Sequence, residues 1–197
     1  MRNLCLLALL VAAPALSQEN GSATEPYIST FEQGPGTDLV MVLFTNQDCG
    51  WSRTPAVQRS VHEAKALLQA RAEAEGKRFS AVAVIKNYDW EEGIEFLSAF
   101  GHFDEVLAGR SWFNTGIVEH CFNQAGCEPA TPMILVFERD VTTIDHPSGP
   151  EGRILYVFGP REYLVTVSDG RPVEESSTGI AAWVAAGVPL EEDWASN

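Results

Sequence analysis

Asp38-Leu39-Val40-Met41-Val42-Leu43-Phe44-Thr45-Asn46-Gln47-Asp48-Cys49-Gly50-Trp51-Ser52-Arg53-Thr54-Pro55 holds a strand, a turn and a helix start in immediate succession. Residues 39–44 are an unbroken apolar run, which reads as a strand buried on both faces. A polar turn follows, carrying Cys49 and Gly50. A cysteine between a strand end and a helix start meets free N–H groups and the positive end of a helix dipole, and both favour a thiolate.

Downstream, Val57, Val61, Ala64, Leu68 and Ala72 recur at alternating four- and three-residue spacing. They predict one apolar face of a helix over residues 54–75, with Pro55 in its first turn and Gly76 as its stop. Residues 79–85 (Phe-Ser-Ala-Val-Ala-Val-Ile) read as a second buried strand, so strand, helix and strand form a βαβ unit with parallel pairing. Residues 90–123 read as helical and aromatic-rich, with breaks at Gly101 and near Gly109 giving two or three short helices. Their aromatics Trp90, Phe96, Phe100, Phe103, Trp112 and Phe113 are expected in the core, with a ligand groove as the alternative.

A third apolar strand, residues 133–137, opens behind Thr131-Pro132, where a proline without an N–H is tolerated and an X-Pro bond can be cis. Residues 147–152 read as a loop. Residues 154–158 and 163–167 read as two strands joined by Gly159-Pro160 and therefore antiparallel. A last helix over residues 177–186 places Ile180, Trp183 and Val184 on one side and stops at Gly187.

The N-terminal end has its own character. Arg2, an apolar core over residues 4–13 and Ala15-Leu16-Ser17 before Gln18 predict a cleaved signal peptide over residues 1–17. That run is too short for a spanning helix. The expectation is a periplasmic or secreted protein with no membrane insertion after cleavage. Residues 18–36 read as a polar N-terminal arm, residues 37–187 as one domain, and residues 188–197 as an acidic tail.

The formal net charge is −14, from thirteen basic and twenty-seven acidic side chains. Nucleic acid and anionic membranes are disfavoured as partners, because both need a basic surface. Of four cysteines, Cys5 falls in the leader, which leaves Cys49, Cys121 and Cys127. An odd count in an oxidising compartment keeps at least one thiol outside any internal bridge. A Cys121–Cys127 bridge closes a short loop before Thr131-Pro132; alternatively, Cys127 is a remote resolving partner for Cys49. Metal binding is not expected: His120 and Cys121 are adjacent on a helix and point apart, and His62, His102 and His146 show no ligand spacing. No Gly-x-Ser-x-Gly, Walker or GxGxxG pattern is present.

A buried strand ending in a cysteine turn, a long helix, a parallel strand, helices, and Thr-Pro opening a third strand resemble the thioredoxin fold. Cys49-Gly50-Trp51-Ser52 stands where that family carries Cys-x-x-Cys, and Thr131-Pro132 resembles its cis-proline loop. The resemblance covers residues 37–187. It implies an α/β three-layer sandwich with a central mixed sheet of four to five strands and an enlarged helical segment between the second and third strands. It also implies thiol–disulfide chemistry on protein thiols or disulfides, with Cys49 as nucleophile, Ser52 as its hydrogen-bond partner, and Gly50, Trp51, Thr131 and Pro132 facing the substrate. No cofactor is implied beyond the protein's own sulfur.

Ser52 in place of the second cysteine removes the two-cysteine cycle from the motif, while its hydroxyl can still donate to the thiolate. Asp48 opposes the thiolate by its charge. A redox-inactive binding or assembly module is the rival reading, with the aromatics and the acidic surface carrying recognition.

Overall fold

A computed structural model describes residues 35–124, 127–146, 153–168 and 179–190. The leader, nearly all of the arm, the 147–152 loop, residues 177–178 and the tail from 191 lie outside the described residues.

Strand β1 (Gly36–Thr45) is the centre of a mixed sheet. It pairs in parallel with β2 (Arg78–Lys86), Asp38 opposite Arg78 and Thr45 opposite Ile85, and antiparallel with β4 (Met133–His146), Phe44 opposite Met133. Successive side chains of a strand point to opposite faces, and β1 fills both. Leu39, Met41 and Leu43 pack into one apolar cluster and Val40, Val42 and Phe44 into the other. That double burial is why an unbroken apolar run forms this strand.

Helix α1 (Pro55–Ala74) links β1 to β2 and buries Val57, Val61, Ala64, Leu68 and Ala72, the face the spacing predicts. Thr54 caps it, its hydroxyl oxygen accepting from the Val57 amide at 3.4 Å. Gly76, at φ +69°, ends it in a left-handed turn that closes with Lys77 N–H donating to the Ala72 carbonyl at 2.8 Å. Helix α4 (Ile180–Ala185) packs beside α1 and buries Ile180, Trp183 and Val184. Val188 joins the same cluster, and the Trp183 indole donates to the Pro189 carbonyl at 2.9 Å. The opposite face of the sheet is covered by Ile117 and Cys121, from the single turn α3 (Thr115–Ile117) and its π-helical continuation Val118–Phe122. Helix, sheet and helical segment make three layers.

Two expectations are corrected. Residues 90–123 are not wholly helical. Behind α2 (Trp90–Leu97) and a 3-10 turn (Ser98–Phe100), Glu105–Gly109 forms an edge strand, β3, parallel to β2. Asp104 starts it by bonding both polar groups of Ala81, its carboxylate accepting at 2.7 Å and its own amide donating at 2.8 Å. Five residues are too few for a period to separate strand from helix.

The second correction concerns Gly159-Pro160, which is not a hairpin turn. β5 (Arg153–Phe158) and β6 (Glu162–Ser168) both run antiparallel to β4, β5 along residues 141–146 and β6 along residues 133–138. They follow one another in the same direction along one edge, interrupted where Pro160 has no N–H to give. The sheet therefore has six strands in five positions, β3-β2-β1-β4 and then β5 with β6.

The aromatics divide. Phe100 and Phe103 are core and Phe96 and Trp112 pack on its edges, whereas Trp90 and Phe113 are exposed. Among the described residues no helix is long and apolar enough to cross a membrane.

Candidate active site

The loops after β1, β2 and β3 and the start of the antiparallel β4 all emerge at one end of the sheet. In open α/β sheets the carboxyl ends of parallel strands are where sites are built, because the helices leave that end uncovered. Cys49 is in the first of these loops, and it is the free cysteine among the described residues.

The cysteine turn is held by backbone polar groups left over when β1 ends. The Asn46 carboxamide oxygen accepts from Asp48 N–H at 2.9 Å and its carbonyl from Cys49 N–H at 3.1 Å. An Asn side chain that bonds its own backbone two residues on is a turn signal, legible in Asn46-Gln47-Asp48 and not used in reading the sequence. The turn continues through Arg53 N–H to the Cys49 carbonyl at 3.3 Å and Thr54 N–H to the Trp51 carbonyl at 3.0 Å. α1 begins only at Pro55. The amides facing the thiol are therefore those of the turn, ahead of the helix proper, and not the helix's own first N–H groups.

Cys49 Sγ lies 2.8 Å from the Thr131 carbonyl oxygen, across from β4. The Thr131-Pro132 bond is cis. Burial pushes the thiol up, but the Ser52 amide, the Thr131 and Ser52 side chains and the Trp51 amide together hold it below the ordinary thiol value. The Thr131 carbonyl has no proton to give, so it suits the protonated thiol; the donors on Ser52, Trp51 and Thr131 suit the thiolate. The sulfur thus has an acceptor for one protonation state and donors for the other. Asp48 is exposed, and its charge is not among the influences on the thiol.

Ser52 is fully buried, and its hydroxyl oxygen has no hydrogen-bond partner, yet it lowers the Cys49 pKa. It is a donor in reserve for the sulfur. Gly50 is exposed with open space where a Cβ would stand. Trp51 is 58% exposed, Thr131 is half-buried and Pro132 is buried. Cys121 and Cys127 form the expected disulfide, which leaves Cys127 unavailable as a partner for Cys49 in this state.

Beside the cysteine turn runs an open groove of about 530 Å³ lined by Gln47, Arg53, Glu92, Glu95, Phe96, Ser98 and Ala99. A second cleft, on the α1 side, holds Lys65, Lys77 and Arg78, but their charges are engaged. Lys65 donates to the Phe100 and His102 carbonyls, Lys77 pairs with Glu75 and Glu138, and Arg78 pairs with Asp38. Among the described residues no three His, Cys, Asp or Glu side chains converge as a metal site.

Two residues behind the thiol escaped the sequence reading. Asn46 and Asn87 are both nearly buried, and the Asn87 carboxamide bonds Gln47 at both ends. Compared with known proteins, the chain matches no family model, no curated protein and no solved structure.

Proposed function

We propose that the protein is a thioredoxin-like thiol–disulfide protein that works with one sulfur, a monothiol oxidoreductase or isomerase, and acts on protein thiols or disulfides outside the cytoplasm. The observation that carries the reading is the free Cys49 thiol, held below its ordinary pKa by turn amides and hydroxyls and set against Thr131 at the mouth of β4.

The chemistry needs no cofactor. Cys49 loses its proton to solvent, and the Trp51 and Ser52 donors hold the resulting thiolate. Its electron pair forms a bond to one sulfur of a substrate disulfide. The substrate's S–S bond breaks, and the other sulfur leaves as a thiolate that takes up a proton. Ser52 has no sulfur to reverse this step, so release falls to a second thiol. If that thiol belongs to the substrate, it attacks the substrate sulfur of the mixed disulfide: a substrate disulfide forms in a new pairing, Cys49 leaves as the thiolate, and nothing is oxidised or reduced overall. If it is an external thiol, it attacks the Cys49 sulfur: the substrate leaves as a dithiol, the external sulfur stays bonded to Cys49, and a second equivalent of that thiol frees Cys49 and departs as the external disulfide. Gly50 leaves the approach to the sulfur open, and Trp51 offers a rigid aromatic face beside it.

The test is Cys49→Ser. Disulfide exchange with a scrambled-disulfide protein is expected to fall to background, and the mixed disulfide trapped from the wild type is expected to disappear. Exchange that survives the substitution defeats the reading.

A second reading has its own support: Tyr88 on the loop after β2, Trp90 at the start of α2 and Phe113 on the loop after β3 are at least 60% exposed. Exposed aromatics are unusual unless they meet something. A binding module whose thiol is idle predicts that Cys49→Ser keeps partner capture intact and that Tyr88→Ala with Trp90→Ala abolishes it.

A further inference from the structure

We propose that Asn87, at the end of β2, is a positioning residue for Cys49, clamping the cysteine turn to the two neighbouring strands. The inference rests on Cys49 being the reactive thiol. Asn87 is 6% exposed and turns both ends of its carboxamide and its backbone N–H across loops. Its Oδ1 accepts from Gln47 N–H at 3.1 Å, its Nδ2 donates to Gln47 Oε1 at 2.9 Å, and its backbone N–H donates to the Gly109 carbonyl at 3.1 Å. Gln47 leads directly into Asp48 and Cys49, whose amides bond Asn46. The ends of β1, β2 and β3 are thereby joined at one residue, the side chain making the link to β1 and the backbone N–H the link to β3.

The consequence follows from what the thiolate needs. Turn amides stabilise it only if they stay aimed at the sulfur, and the nine residues between β1 and α1 have no ladder of their own to hold them. Gln47 N–H, at the point where β1 has ended, would be an orphan donor without Asn87. A part-buried amide that loses its partner is relieved by local rearrangement, which moves the turn. Behind Asn87 the packing is close as well. A Cβ on Gly93 would stand 3.0 Å from Asn87 Cβ and 3.0 Å from Ile85 Cδ1, so α2 presses on the clamp from the far side. Charged neighbours of the assembly are Glu92, whose carboxylate reaches Gln47 Nε2 at 3.4 Å, exposed Asp48, and Arg53 and Glu95 in the groove beside the turn; none is altered in kind by a change at Asn87 or Gly93.

The experiment is the pH profile of Cys49 alkylation in the full chain with its Cys121–Cys127 bridge intact, read alongside thermal unfolding. Asn87→Ala is expected to move the midpoint of the profile upward and to slow alkylation near pH 7 by about threefold or more. Gly93→Ala, which crowds the same side chain from behind, is expected to move it in the same direction. It stands in if Asn87→Ala does not fold. Leu68→Ala, which loosens the core deep in α1, is the control and is expected to lower the melting temperature without moving the midpoint. Both clamp variants melting lower with unmoved midpoints would overturn the proposal, leaving Asn87 a structural cap. A wild-type midpoint at the ordinary thiol value would overturn it together with the functional reading beneath it.

Discussion

Ser52 spends stability for reactivity. A buried hydroxyl without a partner costs on the order of 1 kcal/mol or more, because its hydration is lost and nothing replaces it. Ser52→Ala is therefore expected to leave the unfolding free energy unchanged or raise it by about 1 kcal/mol, while the thiol pKa rises and neutral-pH alkylation slows. Urea titration and an alkylation time course read the two effects; an unslowed alkylation would remove Ser52 from the site. His120 shows burial acting without any such return. It is 5% exposed, its Nδ1 has no partner, and its ring stacks on Phe137 at 5.7 Å. Burial, reinforced by the positive charges of Arg161 and Arg139, holds its pKa down at about 4, from 6.5. The unfolded chain thus binds the extra proton first. The contribution is fully present above about pH 6.5 and is lost as the pH falls toward 4, on the order of 3 kcal/mol in all. His120→Leu is expected to flatten that part of the stability profile between pH 7 and pH 4.5, measured by urea unfolding.

At the scale of elements, Asp38 decides how three strands align. It is fully buried at the start of β1, and its two oxygens meet its two direct cross-strand partners, Arg78 on β2 at 2.6 Å and Arg139 on β4 at 3.3 Å. A one-residue slip would put the carboxylate on the other face, away from both guanidiniums. Removing one member of a buried ion group strands the rest, so Asp38→Asn is expected to cost about 3–5 kcal/mol, seen as a lowered urea midpoint. Replacing all three with apolar residues of similar volume is expected to recover most of that loss. Elements of this kind were partly legible. β1, α1 and β2 could be read because each is long enough to show a period or an unbroken apolar run. β3 could not, since Val106-Leu107-Ala108 fits a helix turn as well as an edge strand. The direction of β6 was misread because Gly-Pro signals a break in the ladder, and a break can continue straight as well as turn back. The nearness of Cys49 and Thr131 followed from the resemblance of Cys49-Gly50-Trp51-Ser52 and Thr131-Pro132 to the thioredoxin motif and loop, and not from spacing or residue type. The Gln47–Asn87 bonds were not legible, because they join residues 40 apart, which no local pattern records.

Across the whole molecule, the disulfide and the free thiol divide the cysteines between structure and chemistry. Cys121 is fully buried in the cluster beneath the sheet with Phe44, Val84 and Phe137, and Cys127 packs against that cluster from its edge. The bridge therefore fastens the helical layer to the segment that enters β4 through Thr131. Closing a loop of seven residues removes unfolded-state entropy worth about 2 kcal/mol on the chain-entropy account. For a domain of this size about 2 kcal/mol corresponds to a fall of roughly 4–8 °C in melting temperature. Cys121→Ala with Cys127→Ala is expected to show that fall, with some addition for the volume lost at Cys121. Of the Cys49 donors, those on Trp51 and Ser52 sit in a turn held from β2 and not from the bridge; the Thr131 side chain alone lies on the segment the bridge fastens. The alkylation profile of the double variant is accordingly expected to match that of the wild type, and mass mapping is expected to find Cys49 as its single modified thiol. A profile that shifts with the bridge removed would mean that the position of Thr131, and not the turn amides, sets the reactivity of the sulfur.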